Sequence, residues 1–234
     1  MLCIPLLFVP GPTALAQDQS QPPVPTSWQL GLRSTGYFYQ DQYGDGTSDN
    51  RFQNYQAVTG SLSGLADGHL IFRGSGRFTN DLAYNPAGFE NSRLYSGHVE
   101  ARMGSRFRAR IGRQFLQGGV QGLTLDGAWL GYRQGSLLDA SIWGGARSPL
   151  GKGFELGSLD NDAAAGWRVA VRPSRKWRVA VSGAYRERYG LVSEKPIGAE
   201  VNTSALKGTR LLGRVAYDLA QDTWAKIQFQ ARWR

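Results

Sequence analysis

The chain has 234 residues, a formal net charge of +9, 41% hydrophobic and 19% charged residues, and 31 glycines. That apolar share excludes an intrinsically disordered chain, and no apolar run reaches the roughly 18 residues a membrane-crossing helix needs. The glycines, about twice the usual share of ~7%, follow no collagen period and point to turns and close strand packing, while the positive charge implies an anionic partner or surrounding.

At the start of the chain, Leu2 to Pro10 form an apolar run, and Ala14-Leu15-Ala16 follows just before the polar Gln17. This is the apolar core and small-x-small cleavage pattern of a secretory signal, although no Lys or Arg precedes it, which points to a start upstream of Met1. Residues 1–16 are expected to be a signal peptide and 17–26, QDQSQPPVPT, an extended Pro-rich linker. Cys3 is the sole cysteine and falls in the leader. The mature chain then has no disulfide, thiol nucleophile or Cys-ligated metal site.

From residue 27 onward the period is two, not 3.6, in segments of about 10 to 12 residues. Eleven antiparallel strands are expected near 27–39, 52–65, 69–79, 93–103, 105–115, 122–133, 136–147, 164–173, 176–186, 209–219 and 223–234. The clearest is Trp177 to Arg186: Trp177, Val179, Val181, Gly183 and Tyr185 share one face, and Arg178, Ala180, Ser182, Ala184 and Arg186 the other. Segments 52–65 and 122–133 alternate poorly. Short turns are expected at 66–68, 104, 134–135, 173–175 and 220–222, and longer loops near 40–51, 80–92, 116–121, 148–163 and 187–208. Tight turns at one end and long loops at the other are the pattern of a transmembrane β-barrel meander.

The apolar face carries aromatics near its ends. Trp177 and Tyr185 bracket Val179 and Val181; eight steps of about 3.3 Å tilted by about 40° give a height of roughly 20 Å, close to the apolar band of such a barrel. Trp28 and Phe38 repeat the bracket on the first strand. Trp28, Phe38, Trp167, Trp177, Tyr185, Tyr217 and Trp233 are the expected lipid-interface aromatics.

An exported leader, a cysteine-free mature chain and Gly-rich amphipathic strands with short and long connections resemble a Gram-negative outer-membrane β-barrel of porin type. The resemblance spans 27–234 and is architectural. It implies an outer-membrane location, contact with membrane lipid and lipopolysaccharide, and allows a homo-oligomer. An odd strand count departs from the even counts of bacterial barrels, and Arg234 follows Trp233 where the family closes on an aromatic. Both lead to the expectation of an N-terminal part of a longer barrel.

Acids and bases separate. Glu100, Asp126 and Asp139 are the acids expected inside strands, and Asp41, Asp49, Asp81, Asp162, Glu187, Glu194 and Glu200 are among those expected in long loops. Arginines fill the non-aromatic face, and one on the lipid side would cost about 2–4 kcal/mol at the midplane. The expected pore lining is therefore Arg73, Arg77, Arg102, Arg106, Arg108, Arg110, Arg168, Arg172, Arg178, Arg210, Arg214, Lys226 and Arg232. Crowded guanidiniums keep their charge, attract small anionic or hydrophilic solutes and repel cations. About a third of these bases are expected to pair with carboxylates.

Other chemistries fit the sequence less well. Ser96, His98 and Glu100 share a strand face, but neighbours two apart stand roughly 7 Å from each other, too far for a hydrogen-bonded triad. Two histidines without cysteine make a poor metal site. Gly145 to Gly153 resembles a phosphate loop but has the wrong spacing, no Ser or Thr after Lys152 and no helix. Bases spread with period two over an exported chain do not suggest a nucleic-acid partner. The expected function is a porin-like channel, without enzymatic activity, cofactor or metal. The alternatives are a structural or docking barrel without an open pore and a secreted β-sandwich binding acidic glycans.

Overall fold

The computed structural model describes residues 24–42, 44–81, 92–120, 122–149 and 153–233. The expected signal peptide and most of the linker lie outside them. The described chain is all β, in thirteen strands: β1 (Ser27–Gln42), β2 (Ser48–Leu65), β3 (Leu70–Asp81), β4 (Arg93–Met103), β5 (Phe107–Leu116), β6 (Leu123–Gln134), β7 (Leu138–Arg147), β8 (Asp162–Ser174), β9 (Trp177–Arg188), β10 (Leu191–Glu194), β11 (Pro196–Thr203), β12 (Thr209–Asp218) and β13 (Thr223–Trp233). They form one antiparallel sheet in chain order, with β10 paired to the end of β9. Each strand pairs with its sequence neighbours, so the fold is a meander. Among the described residues the sheet is open, with β1 and β13 as its edges.

Two expected loops are strands. Residues 40–42 and 48–51 continue the first hairpin, with Asp41 opposite Asp49 and Gln42 opposite Ser48. The expected loop 187–208 holds the end of β9 and all of β10 and β11. A tight reversal at Tyr189 (φ 49°) and Gly190 (φ 77°) turns β9 into β10, the left-handed pair that a two-residue hairpin requires. Strands β10 and β11 lie end to end along β9, with Glu194 opposite Arg186 and Ile197 opposite Gly183. They make one long run broken at Lys195-Pro196, where proline has no N–H for the ladder. The sheet therefore has twelve long runs, where the sequence suggested eleven. The extra run moves the 219–222 turn to the end that also carries the longer connections 82–92, 117–122 and 148–161.

The sheet is curved. A methyl group placed on Gly119 would lie 2.9 Å from the Ser182 side chain, one on Gly118 3.6 Å from Arg168 Nε, and one on Gly198 2.8 Å from Val120 Cγ1. The β5–β6 connection thus crosses to β8, β9 and β11. Three residues back from Leu123 the chain reaches at most about 11 Å, whereas four strand spacings separate β6 from β11, about 19 Å in a flat sheet. The sheet curls toward the face bearing Arg168, Ser182 and Gly198, which is its concave side. Under this connection Leu116, Leu123, Leu125 and Ala164 form a buried cluster against Trp129 and Trp143.

Some of the excess glycine makes room for aromatic rings and for bends. A Cβ on Gly166 would meet the Trp143 ring at 2.3 Å and the Gly183 carbonyl at 2.8 Å; one on Gly183 would meet Trp167 Nε1 at 2.8 Å. Gly112, Gly127 and Gly145 align across β5, β6 and β7. Gly112 has φ 120°, and beyond this row Arg113 and Gln114 are both buried, so strict alternation lapses where the strands bend. Gly166→Ala is expected to lower stability by about 1–3 kcal/mol, since ring and backbone must both shift. Gly213→Ala, which meets nothing within 4 Å, is the neutral control in denaturant unfolding followed by tryptophan fluorescence.

Candidate functional site: the arginine-bearing concave face

Pairing registers decide which side chains share a face. Arg73 is opposite His98, His98 opposite Gly112, and Glu100 opposite Arg110. Gly112 continues through Gly127, Gly145 and Ala164 to Arg186. Ser182 continues through Gly198 and Ala216 to Lys226. With period two along each strand, this places Arg73, Arg77, Arg102, Arg108, Arg110, Arg168, Arg172, Arg178, Arg210, Arg214, Lys226 and Arg232 on the concave face. Arg106 lies in the β4–β5 turn. Trp28, Phe38, Trp167, Trp177, Tyr185, Tyr217 and Trp233 all fall on the convex face.

The convex face is apolar and uncovered. Trp28 is 74% exposed, Ile111 69%, Ile142 59%, Ile227 71% and Phe229 72%. Together with Leu30, Leu32, Val181, Ile197 and Val215 they form a contiguous band far larger than the patches soluble monomers leave open.

On the concave face Glu100, Glu200 and Asp139 are held by arginine. Buried Glu100 accepts from Arg110 Nε at 2.9 Å and Arg102 Nε at 3.2 Å, and Arg73 stands 3.6 Å away. Arg214 Nε donates to Glu200 at 2.7 Å. Arg133 Nη2 donates to Asp139 at 3.1 Å. Of the thirteen expected lining bases, Arg73, Arg102, Arg110 and Arg214 have a carboxylate within 4 Å; the others have none among the described residues. Arg77 stacks over Tyr55 and Tyr95, 5.1 and 5.8 Å from the ring centroids. Arg110 sits 4.5 Å above Trp129.

The separation of acids from strands needs correction. Asp41, Asp49, Asp81, Asp162, Glu187, Glu194 and Glu200 are strand residues, because the strands run further than the sequence suggested. At the rim Arg186 donates to Asp162 at 2.6 Å and to Glu194 at 2.7 Å, and Arg51 pairs with Asp81 at 3.3 Å. The face also carries residues that the sequence reading missed, Arg33, Arg133, Arg147, Trp129 and Trp143, and Arg186, which it had placed on this face but left out of the lining. The alternation of β6 was the obstacle, since Trp129 faces inward with the charges and Leu130 outward.

Ser96, His98 and Glu100 do share the concave face but are not joined. Ser96 Oγ bonds to Ser75 Oγ at 2.7 Å, Glu100 is taken by arginines, and among the described residues neither ring nitrogen of His98 has a hydrogen-bond partner. Among the described residues no group of three or more His, Cys, Asp or Glu is placed to hold a metal ion. No helix among them is long and apolar enough to cross a membrane, which leaves strand crossing open. The glycine-rich stretch after Gly145 lies partly outside the described residues. No protein-family model and no curated protein matches the sequence.

Proposed function

We propose that the chain is an outer-membrane β-barrel of porin type that passes small hydrophilic solutes and prefers anions. The observation that carries this reading is the opposition of the two faces of one curved sheet: an uncovered aliphatic and aromatic band outside, and guanidiniums in excess over carboxylates inside. A soluble sandwich would bury its apolar face against a second layer. A bilayer accepts such a band and requires the backbone groups of every strand edge to be satisfied. Twelve long runs leave β1 and β13 antiparallel, the sense in which two meander edges can pair with each other.

The test is incorporation into a planar bilayer under a potassium chloride gradient. Discrete conductance steps are expected, with a zero-current potential displaced toward that of chloride. Displacement toward potassium would overturn the anion preference and leave the barrel standing. A second reading, a barrel without an open path, draws on the Leu116–Leu123–Leu125 cluster and the β5–β6 connection lying across the concave face. It predicts membrane insertion with no conductance.

A further inference from the structure

One transverse row of the concave face runs Arg133, Asp139, Ala170, Ala180, Glu200, Arg214 across β6 to β12. Its two carboxylates are bound by the arginines at its ends, Arg133 and Arg214. Between them lie two alanines, exposed by only 2% and 4%, although no second layer of sheet covers this face. Arginines flank that gap on both sides along the strands, Arg168 toward one rim and Arg172 and Arg178 toward the other. None of the three has a carboxylate within 4 Å among the described residues, and the Nε atoms of Arg168 and Arg178 are buried without a hydrogen-bond partner. Beside the gap is a cavity of about 370 Å³, bounded by Arg133, Asp139, Ala170, Arg172, Arg178 and the β6–β7 turn.

We propose that this recess is an anion-binding site for a small oxyanion of two negative charges, inorganic phosphate in its simplest form. The chemistry is specific. With Asp139 already engaged by Arg133, the surplus inside the cavity is the two guanidiniums of Arg172 and Arg178. A guanidinium offers two parallel N–H donors that match two oxygens of phosphate or carboxylate. Ala170, short and itself covered, borders the cavity without filling it, as a longer residue there would. The Arg133–Asp139 pair forms a fixed wall, and the Arg172 N–H bonded to the Leu137 carbonyl at 2.8 Å ties the wall of the turn to β8. A cavity of this size accommodates a small polar solute. The site lies at the end of the sheet that carries the short turns, and it deepens the channel reading by placing a resting point for the solute at that mouth.

The test uses the full chain in a planar bilayer, with chloride as current carrier and inorganic phosphate added on either side. Saturable reduction of the chloride current is expected. In the Arg172→Gln/Arg178→Gln double variant, half-reduction is expected to need at least tenfold more phosphate. Lys176→Gln removes a charge from the neighbouring β8–β9 turn and is expected to leave the half-reduction concentration unchanged. Equal phosphate sensitivity in the double variant, or a decline that never saturates, overturns the site. If the protein inserts without conducting, the channel reading fails by itself, and equilibrium dialysis of phosphate against the detergent-held full chain decides the site. Binding lost in the double variant supports it; no binding to the unaltered chain overturns it. Succinate as second probe separates a general dianion site, which takes both, from one fitted to tetrahedral oxyanions.

Discussion

Arg113→Ala is expected to cost about 3–5 kcal/mol and to loosen the upper part of β4 to β7. The residue is 2% exposed, and all three nitrogens of its guanidinium donate. Nε and Nη2 reach the two oxygens of Asp126 at 2.6 and 2.7 Å, Nη1 donates to the Leu94 carbonyl at 3.2 Å, and Nη2 also donates to the Glu155 carbonyl. One side chain therefore joins β4, β5, β6 and the β7–β8 connection. Its loss leaves Asp126, itself nearly buried, with only the Gly157 N–H at 2.7 Å among the described residues. An uncompensated buried carboxylate is the expensive result of removing one partner, in contrast to replacing both. Arg113→Ala/Asp126→Ala should accordingly recover part of the loss, and Arg113→Lys should not, because an ammonium has no planar fork to span both oxygens and the carbonyls. Denaturant unfolding of the detergent-folded protein reads the midpoint, and proteolysis within 153–161 reads the release of the connection. A change within about 0.5 kcal/mol for Arg113→Ala, the range of ordinary surface substitutions, would remove this residue from the framework.

The meander was legible because period two persists wherever one face is apolar and the other charged. Strand β9 can be read directly from Trp177 to Arg186, and its pairing leaves every second residue on the expected side. The reading failed where that contrast fades. Residues 191–203 contain Pro196 and Gly198 and mix Glu200 with Val201, so they look like a loop until Gly183 and Ser182 are found opposite them. Gln40, Asp41, Asn50 and Arg51 are polar on both faces, so the strands run past the apolar band there without a hydrophobic signal. In β6 the inward Trp129 hid the alternation. The ion pairs were legible only in part. Glu100 lies directly across from Arg110 and within reach of Arg102, two positions along its own strand. Arg113 and Asp126 are also directly opposed, but their burial depends on the glycine bend and on the distant 153–157 segment, which no local pattern reveals.

Substituting Val181 by arginine separates the membrane reading from every soluble one, because the two predict opposite costs at the same atom positions. Val181 is 44% exposed on the convex face, midway between Trp177 and Tyr185. In water, an arginine at a half-exposed position extends into solvent and changes stability by no more than about 0.5 kcal/mol. In a bilayer the same guanidinium must sit near the hydrocarbon midplane or drag water to it, which costs about 2–4 kcal/mol. Ile227→Arg, at 71% exposure, carries the comparison to β13, where an effect of packing would be weaker still and the lipid cost would persist. Gln230→Arg, three residues further along β13 and on the concave face, is the internal control; with solvent beside it, the added charge is expected to cost little. Reversible unfolding from vesicles compares all three. The expected order is a large loss for Val181→Arg and Ile227→Arg and a small one for Gln230→Arg. Three small, equal changes would mean that water bathes both faces, and neither the lumen nor its anion preference would survive that result.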